Sequence, residues 1–210
     1  MLANTIGAEF REVADREHDG RPAKAVVAAR VYDTDAADLW DALTNPERIP
    51  RWFSPVTGEL KLGGRYQIQG NAGGTIQRCE PPRALDITWE FGGGKSWVTL
   101  RLAPEGAGTR LTLEHIMLAE DMTGEHWLQF GPGAVGVGWD LSFLGLGLHL
   151  ASGGARPPEA DPAWMASDEA KAFMRESATG WAAAHIASGE DAEVARGMAS
   201  RTAGFYTGEG

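Results

Sequence analysis

Apolar and polar residues alternate with a period of two through the middle of the chain. Side chains two apart in a strand point the same way, so Leu85, Ile87, Trp89 and Phe91 share one face while Asp86, Thr88 and Glu90 share the other. Val98, Leu100 and Leu102 likewise oppose Thr99 and Arg101. Leu111 and Leu113 oppose Arg110, Thr112 and Glu114, which carries His115 to the apolar side. Six strands are predicted, near Val56 to Leu60, Arg65 to Gln69, Thr75 to Glu80, Leu85 to Phe91, Ser96 to Ala103 and Arg110 to Ile116. Gly63-Gly64, Gly70 to Gly74, Pro81-Pro82, Gly92 to Gly94 and Pro104 to Gly108 punctuate them, the texture of an antiparallel meander. Within Thr75 to Glu80 the alternation is mixed and leaves the direction of Cys79 open.

Ahead of the meander, Glu9 to Glu17 and Lys24 to Tyr32 flank His18-Asp19-Gly20, and Asp-Gly is a strong hairpin signal because both residues tolerate positive φ. Asp33-Thr34-Asp35 offers oxygen caps to a short helix over Ala36 to Leu43, with Leu39, Trp40 and Leu43 on one face. Asn45-Pro46-Glu47 opens a second, which Pro50 limits to about a turn. After the meander, a loop containing Glu125, His126 and Gly131-Pro132-Gly133 leads to a long helix from Ala134 to Ala151. Its stripe is Trp139, Phe143, Leu146 and Leu150. Gly136, Gly138, Gly145 and Gly147 each cost about 1 kcal/mol against Ala, so packing must hold this helix.

Gly153-Gly154 and Pro157-Pro158 mark a boundary, dividing the chain into residues 1–154 and a helical extension, 155–210. Asp161-Pro162 and Ser167-Asp168-Glu169 are start signals. Two helices are expected, Ser167 to Ile186 with Ala170, Phe173, Met174, Ala178, Trp181 and His185 on one face, and Asp191 to Tyr206 with Ala195, Met198, Thr202 and Phe205 on another. Phe173, Met174, Trp181, Met198 and Phe205 need a covering surface, on this chain's own domain or on a second copy in a homodimer through the extension.

Charge narrows the partners. With 19 basic against 29 acidic residues the net charge is -10, and no run of Lys and Arg offers a phosphate backbone or an anionic bilayer a basic face, so neither nucleic acid nor a membrane is expected as partner. Cys79 is the only cysteine, which excludes an intrachain disulfide and a multi-thiolate zinc site. No signal peptide is read at the amino terminus, and the apolar stretch from Ala134 to Ala151 is broken by Asp140, His149 and glycines. A cytoplasmic protein without cofactor or metal is expected.

The segments VYDTDAADLWDALTNPERIPRWFSP, GGRYQI, CEPPRALDITWEF, GTRLTLEH and GVGWDLSFLGLGLHL, in that order, resemble the START-like (SRPBCC) superfamily. Within it they are similar to the heat-shock-protein-90 ATPase activator homologue family, over roughly Ala23 to Ala151. The resemblance implies an α+β helix-grip fold, in which a strand, two short helices, six further strands and a long carboxy-terminal helix enclose an apolar cavity.

Trp52, Phe53, Tyr66, Trp89, Trp97, His115, Trp139 and Phe143 are the residues expected to line that cavity and bind a small hydrophobic or aromatic molecule. Core filling is the alternative for each. His115 anchors a polar group or acts as a general base. No fixed catalytic dyad is read, nor a metal spacing among His18, His126, His149 and His185. Three functions follow: ligand binding; a chaperone-linked or protein-interaction role related to heat-shock-protein-90 ATPase activation; and a polyketide-type cyclase or hydrolase using His115.

Overall fold

The computed structural model describes residues 7–157 and 163–209. Eight strands run β1 Phe10–His18, β2 Arg21–Tyr32, β3 Val56–Gly58, β4 Arg65–Ile68, β5 Gly73–Glu80, β6 Ala84–Phe91, β7 Gly94–Glu105 and β8 Gly108–Leu118. The helices are α1 Ala36–Thr44, α2 Glu125–Phe130, α3 Gly133–Ala151, α4 Asp168–Ala187 and α5 Ala192–Thr207. The strands form one curved antiparallel sheet in the order β1-β2-β8-β7-β6-β5-β4-β3, an α+β helix-grip fold.

Most starts and turns follow the local chemistry read from the sequence. Asp19 and Gly20 take φ of 50° and 73° between β1 and β2, the geometry that Asp-Gly supplies in a two-residue hairpin. Asp35 accepts from the Asp38 amide at 2.9 Å and caps α1. Ser167 and Asp191 cap α4 and α5 in the same way. The cap expected at Asp161-Pro162 lies outside the described residues. Pro50 holds the element after α1 to a single 3₁₀ turn, Ile49–Arg51.

Two sequence expectations are corrected. The loop around Glu125 and His126 is helical, as α2. Gly73 and Gly74 belong to β5 rather than to the turn before it. Among the described residues, one compact unit lies within 1–28, 116–144 and 161–210, the other within 29–115 and 145–160. The extension therefore groups with the amino-terminal hairpin.

In the first of these units, α4 buries Ala170, Phe173, Met174, Ala178, Trp181 and His185, the expected stripe, and α5 buries Ala195, Met198 and Thr202. These groups are covered by the chain's own elements. Phe205 is the exception, 64% exposed, while Tyr206 turns inward and donates to the Ala134 carbonyl at 2.9 Å. At the centre lies Asp140, fully buried on α3. It accepts from the Ala8 amide at 2.8 Å, from Arg11 Nε at 2.9 Å, from Trp181 Nε1 at 3.1 Å and from the Ser177 hydroxyl. A buried carboxylate needs such partners because its desolvation is otherwise uncompensated.

In the second unit, Arg48 bridges Asp38 and Asp41 of α1 at 2.7 and 3.0 Å. Its Nε lies 3.4 Å from Nε2 of the fully buried His149 near the end of α3. The α3 glycines admit close neighbours: a Cβ on Gly145 would fall 2.6 Å from the Trp52 carbonyl oxygen. By length and composition α3 could cross a membrane. It is instead a core helix, since Asp140 and His149, both on it, are fully buried and hydrogen-bonded within the protein.

Candidate ligand-binding face

Strand register in the second unit builds an apolar surface row by row. Trp89 lies opposite Ser96, Ile87 opposite Val98 and Leu85 opposite Leu100 across β6 and β7. On the other side of β6, Ile76 lies opposite Ile87 and Cys79 opposite Leu85. Ile76 and Cys79 are three residues apart, and strict alternation would put them on opposite faces. A bulge between Ile76 and Arg78 inserts the extra residue and returns Cys79 to the apolar face. Without that bulge visible in the sequence, the direction of Cys79 could not be assigned.

Tyr66, Ile68 and Ile76 are the buried centre of this cluster, and Phe53, Val56, Cys79, Leu85, Ile87 and Trp89 pack against it while remaining half-buried. The Tyr66 hydroxyl donates to the Thr88 carbonyl at 2.7 Å, and burial raises its pKa, so it stays protonated. A Cβ on Gly74 would fall 2.0 Å from that same carbonyl oxygen. Glycine is therefore required where the tyrosine of β4 spans β5 to reach β6. Phe91, 61% exposed, ends the alternating row at the sheet rim.

The polar group on this face is a pair. His115 is buried, and its Nε2 lies 2.8 Å from Ser96 Oγ, which in turn lies 3.2 Å from the Trp89 carbonyl oxygen. The imidazole and the Trp89 ring lie tilted at 60° with centroids 5.8 Å apart. Burial pulls the His115 pKa down to about 4, so the ring is neutral at pH 7. Ser96 was not singled out by the sequence. Its alternation with Val98 and Leu100 was the available signal, but a lone serine in a strand gives no chemical cue.

The remaining expected residues separate. Trp52 donates through Nε1 to the Ala42 carbonyl at 3.0 Å and meets Phe53 with ring centroids 5.6 Å apart, so it clamps the turn after α1. Trp97 lies opposite Thr88 in register, on the other face of the sheet, with Lys95 Nζ 5.5 Å from its ring centre. One residue from both Ser96 and Val98, it points away from them, to the face opposite Trp89. Trp139 and Phe143 belong to the other unit, half-buried and buried respectively. The face around Trp97 carries ion pairs instead, Arg65 with Glu90 and Arg78 with Glu80 at 2.8 Å, and Arg101 with Asp86. Among the described residues no group of three or more His, Cys, Asp or Glu is placed to hold a metal.

The curved antiparallel sheet with its long helix is the helix-grip fold of START-like proteins. The chain belongs to the family described as Activator of Hsp90 ATPase homolog 1-like protein, whose model matches residues 33–147. It is similar to CalU16 from Micromonospora echinospora. Against the crystal structure of that protein the identity is 36% and the TM-score 0.66, covering 83% of this chain and 96% of that one. Against its solution structure the values are 35% and 0.70, covering 86% and 96%. This likeness covers more of the chain than the family match, so it includes elements outside the family core. MLL2253 from Mesorhizobium loti, 24% identical with a TM-score of 0.53 over 61% of this chain and 97% of that one, shares the fold. No curated protein matches the chain.

Proposed function

We propose that the protein binds a small, largely apolar molecule on the sheet face centred on Trp89. The carrying observation is a set of half-buried side chains, Phe53, Val56, Cys79, Leu85, Ile87 and Trp89, around a buried centre that bears no charge. A monomer rarely leaves a contiguous apolar surface without a use, and such a surface with a few polar groups is the usual make-up of a small-molecule site. The neutral His115 argues against a general base, because accepting a proton would create a desolvated cation. A reducing, cytoplasmic setting suits the half-buried thiol of Cys79.

Thermal-shift screening of aromatic, polyketide-like and fatty-acid compounds tests the reading, with Trp89→Ala as the control. Stabilisation of the natural chain by at least one class, reduced in the variant, is expected. No stabilisation by any class would remove the reading. The family match favours a second one, action on an Hsp90-type chaperone, for which a raised chaperone ATPase rate with the purified chain is the supporting measurement.

A further inference from the structure

We propose that Ser96, held by His115, makes this face selective for ligands that bring a hydrogen-bond donor, a phenol or alcohol hydroxyl on an aromatic body, over their ether and carboxylate counterparts. The inference rests on the ligand-binding reading above and adds the chemical class of ligand.

A serine hydroxyl has one proton and two lone pairs. Ser96 Oγ has two partners inside the protein, His115 Nε2 at 2.8 Å and the Trp89 carbonyl oxygen at 3.2 Å. If the imidazole carries its proton on Nε2, the ring donates to Oγ and the serine proton goes to the Trp89 carbonyl. If the proton is on Nδ1, the serine proton goes to Nε2 instead. In both tautomers the single proton of Ser96 is committed within the protein while at least one lone pair remains. Toward a ligand, Oγ therefore offers an acceptor. An ether or carbonyl oxygen gains the Ser96 proton only by breaking a bond already made, which leaves no net bond.

The surroundings sharpen this choice. Ser96 is half-buried directly opposite Trp89, beside the row of Ile87 and Val98, so a hydroxyl set there can leave its ring on the indole and the aliphatic groups. Burial keeps His115 neutral at pH 7, so the pair presents no cation. A carboxylate would surrender its hydration, meet a lone pair, and find no compensating charge there. His115 is a positioning residue: it fixes the serine rotamer and takes no part in contact with the ligand in this scheme.

Calorimetric titration of the full chain at pH 7.5 with 2-naphthol, 2-methoxynaphthalene and 2-naphthoate tests the proposal. The naphthol is expected to bind roughly five- to tenfold more tightly than the ether, the yield of one net hydrogen bond, and naphthoate most weakly. Ser96→Ala is expected to abolish the preference by weakening the naphthol alone, while Ser96→Thr, which keeps the hydroxyl and suits a strand, retains it. Trp89→Ala is expected to weaken naphthol and ether together. Equal binding of naphthol and ether by the natural chain, or a preference that survives Ser96→Ala, overturns the donor selection and leaves the apolar face standing. If none of the three probes binds, the donor selection and the ligand-binding reading fall together.

Discussion

His115 links a single residue's environment to the pH response of the whole chain. Its folded pKa is depressed to about 4 from 6.5, so at pH above 6.5 the ring is neutral folded and unfolded alike and its contribution to stability is fully present. Below that the unfolded chain takes up a proton that the native chain refuses, and stability falls until native His115 titrates as well. Each pH unit between the two pKa values corresponds to about 1.4 kcal/mol, so this one ring accounts for a loss on the order of 3 kcal/mol between about pH 6.5 and pH 4. His185, also lowered mainly by burial with Glu190 opposing, acts in the same direction. Urea unfolding at several pH values across that window should show a slope smaller by up to one proton in His115→Gln, whose amide can still reach Ser96. An unchanged slope would mean that His115 is solvated and readily charged. His115 was legible in the sequence because it continues the alternation of Leu111 and Leu113. Its partner Ser96 comes from another strand 19 residues away, and the Asp140 partners lie as far as 132 residues off. Local pattern carries no record of pairings across such separations.

At the scale of elements the glycines of α3 separate two opposing effects. In a helix interior Gly→Ala is ordinarily favourable by about 1 kcal/mol. A Cβ on Gly136, however, would lie 2.3 Å from Trp181 Cε2, and forcing a methyl group into a filled space costs about 1–3 kcal/mol. Gly197 on α5 would meet only the end of the Arg201 side chain at 3.4 Å. Gly136→Ala should therefore lower the melting temperature and Gly197→Ala should leave it equal or raised. The same sign for both in differential scanning calorimetry would contradict the packing described. Element type and order were readable because binary pattern, Asp-Gly and the caps at Asp35, Ser167 and Asp191 all agree with the fold. Three features escaped. Helix α2 is six residues long with no side-chain cap, too short to show periodicity. The bulge near Ile76 shifts alternation by one and has no glycine or proline to announce it. Trp97 is buried on the ion-paired face, so aromatic character pointed one way while strand parity pointed the other.

Across the whole molecule, the tail is tied to residues 37 to 72 positions before it, and through Asp140 to the amino-terminal segment. Asp140 collects the Ala8 amide and Arg11 from the amino-terminal segment, and Ser177 and Trp181 from α4. Thr202 and Tyr206 of α5 donate to the carbonyls of Phe130 and Ala134 at 3.0 and 2.9 Å. Truncation after Gly154 would remove four of these six donors. It would also strip Trp181, Met174 and Phe173 from the interior, each such group worth about 1.5–3 kcal/mol when buried. Asp140 would be left as a carboxylate paired with Arg11 beside newly exposed apolar helix. The truncated chain is expected to aggregate or to unfold without a cooperative transition. Asp140→Ala in the full chain should cost about 3–5 kcal/mol, because it leaves Arg11 without its buried counter-ion. Hydrogen exchange distinguishes this account from a general loss of stability. Amides of β1 and of the first half of α3 should lose protection in Asp140→Ala before those of β5 to β7, because Asp140 and all its partners belong to the unit of residues 1–28, 116–144 and 161–210. A truncated chain that stays soluble and melts cooperatively at the original temperature would show that the tail contributes no stability, and that the Asp140 hydrogen bonds are dispensable to the rest of the fold.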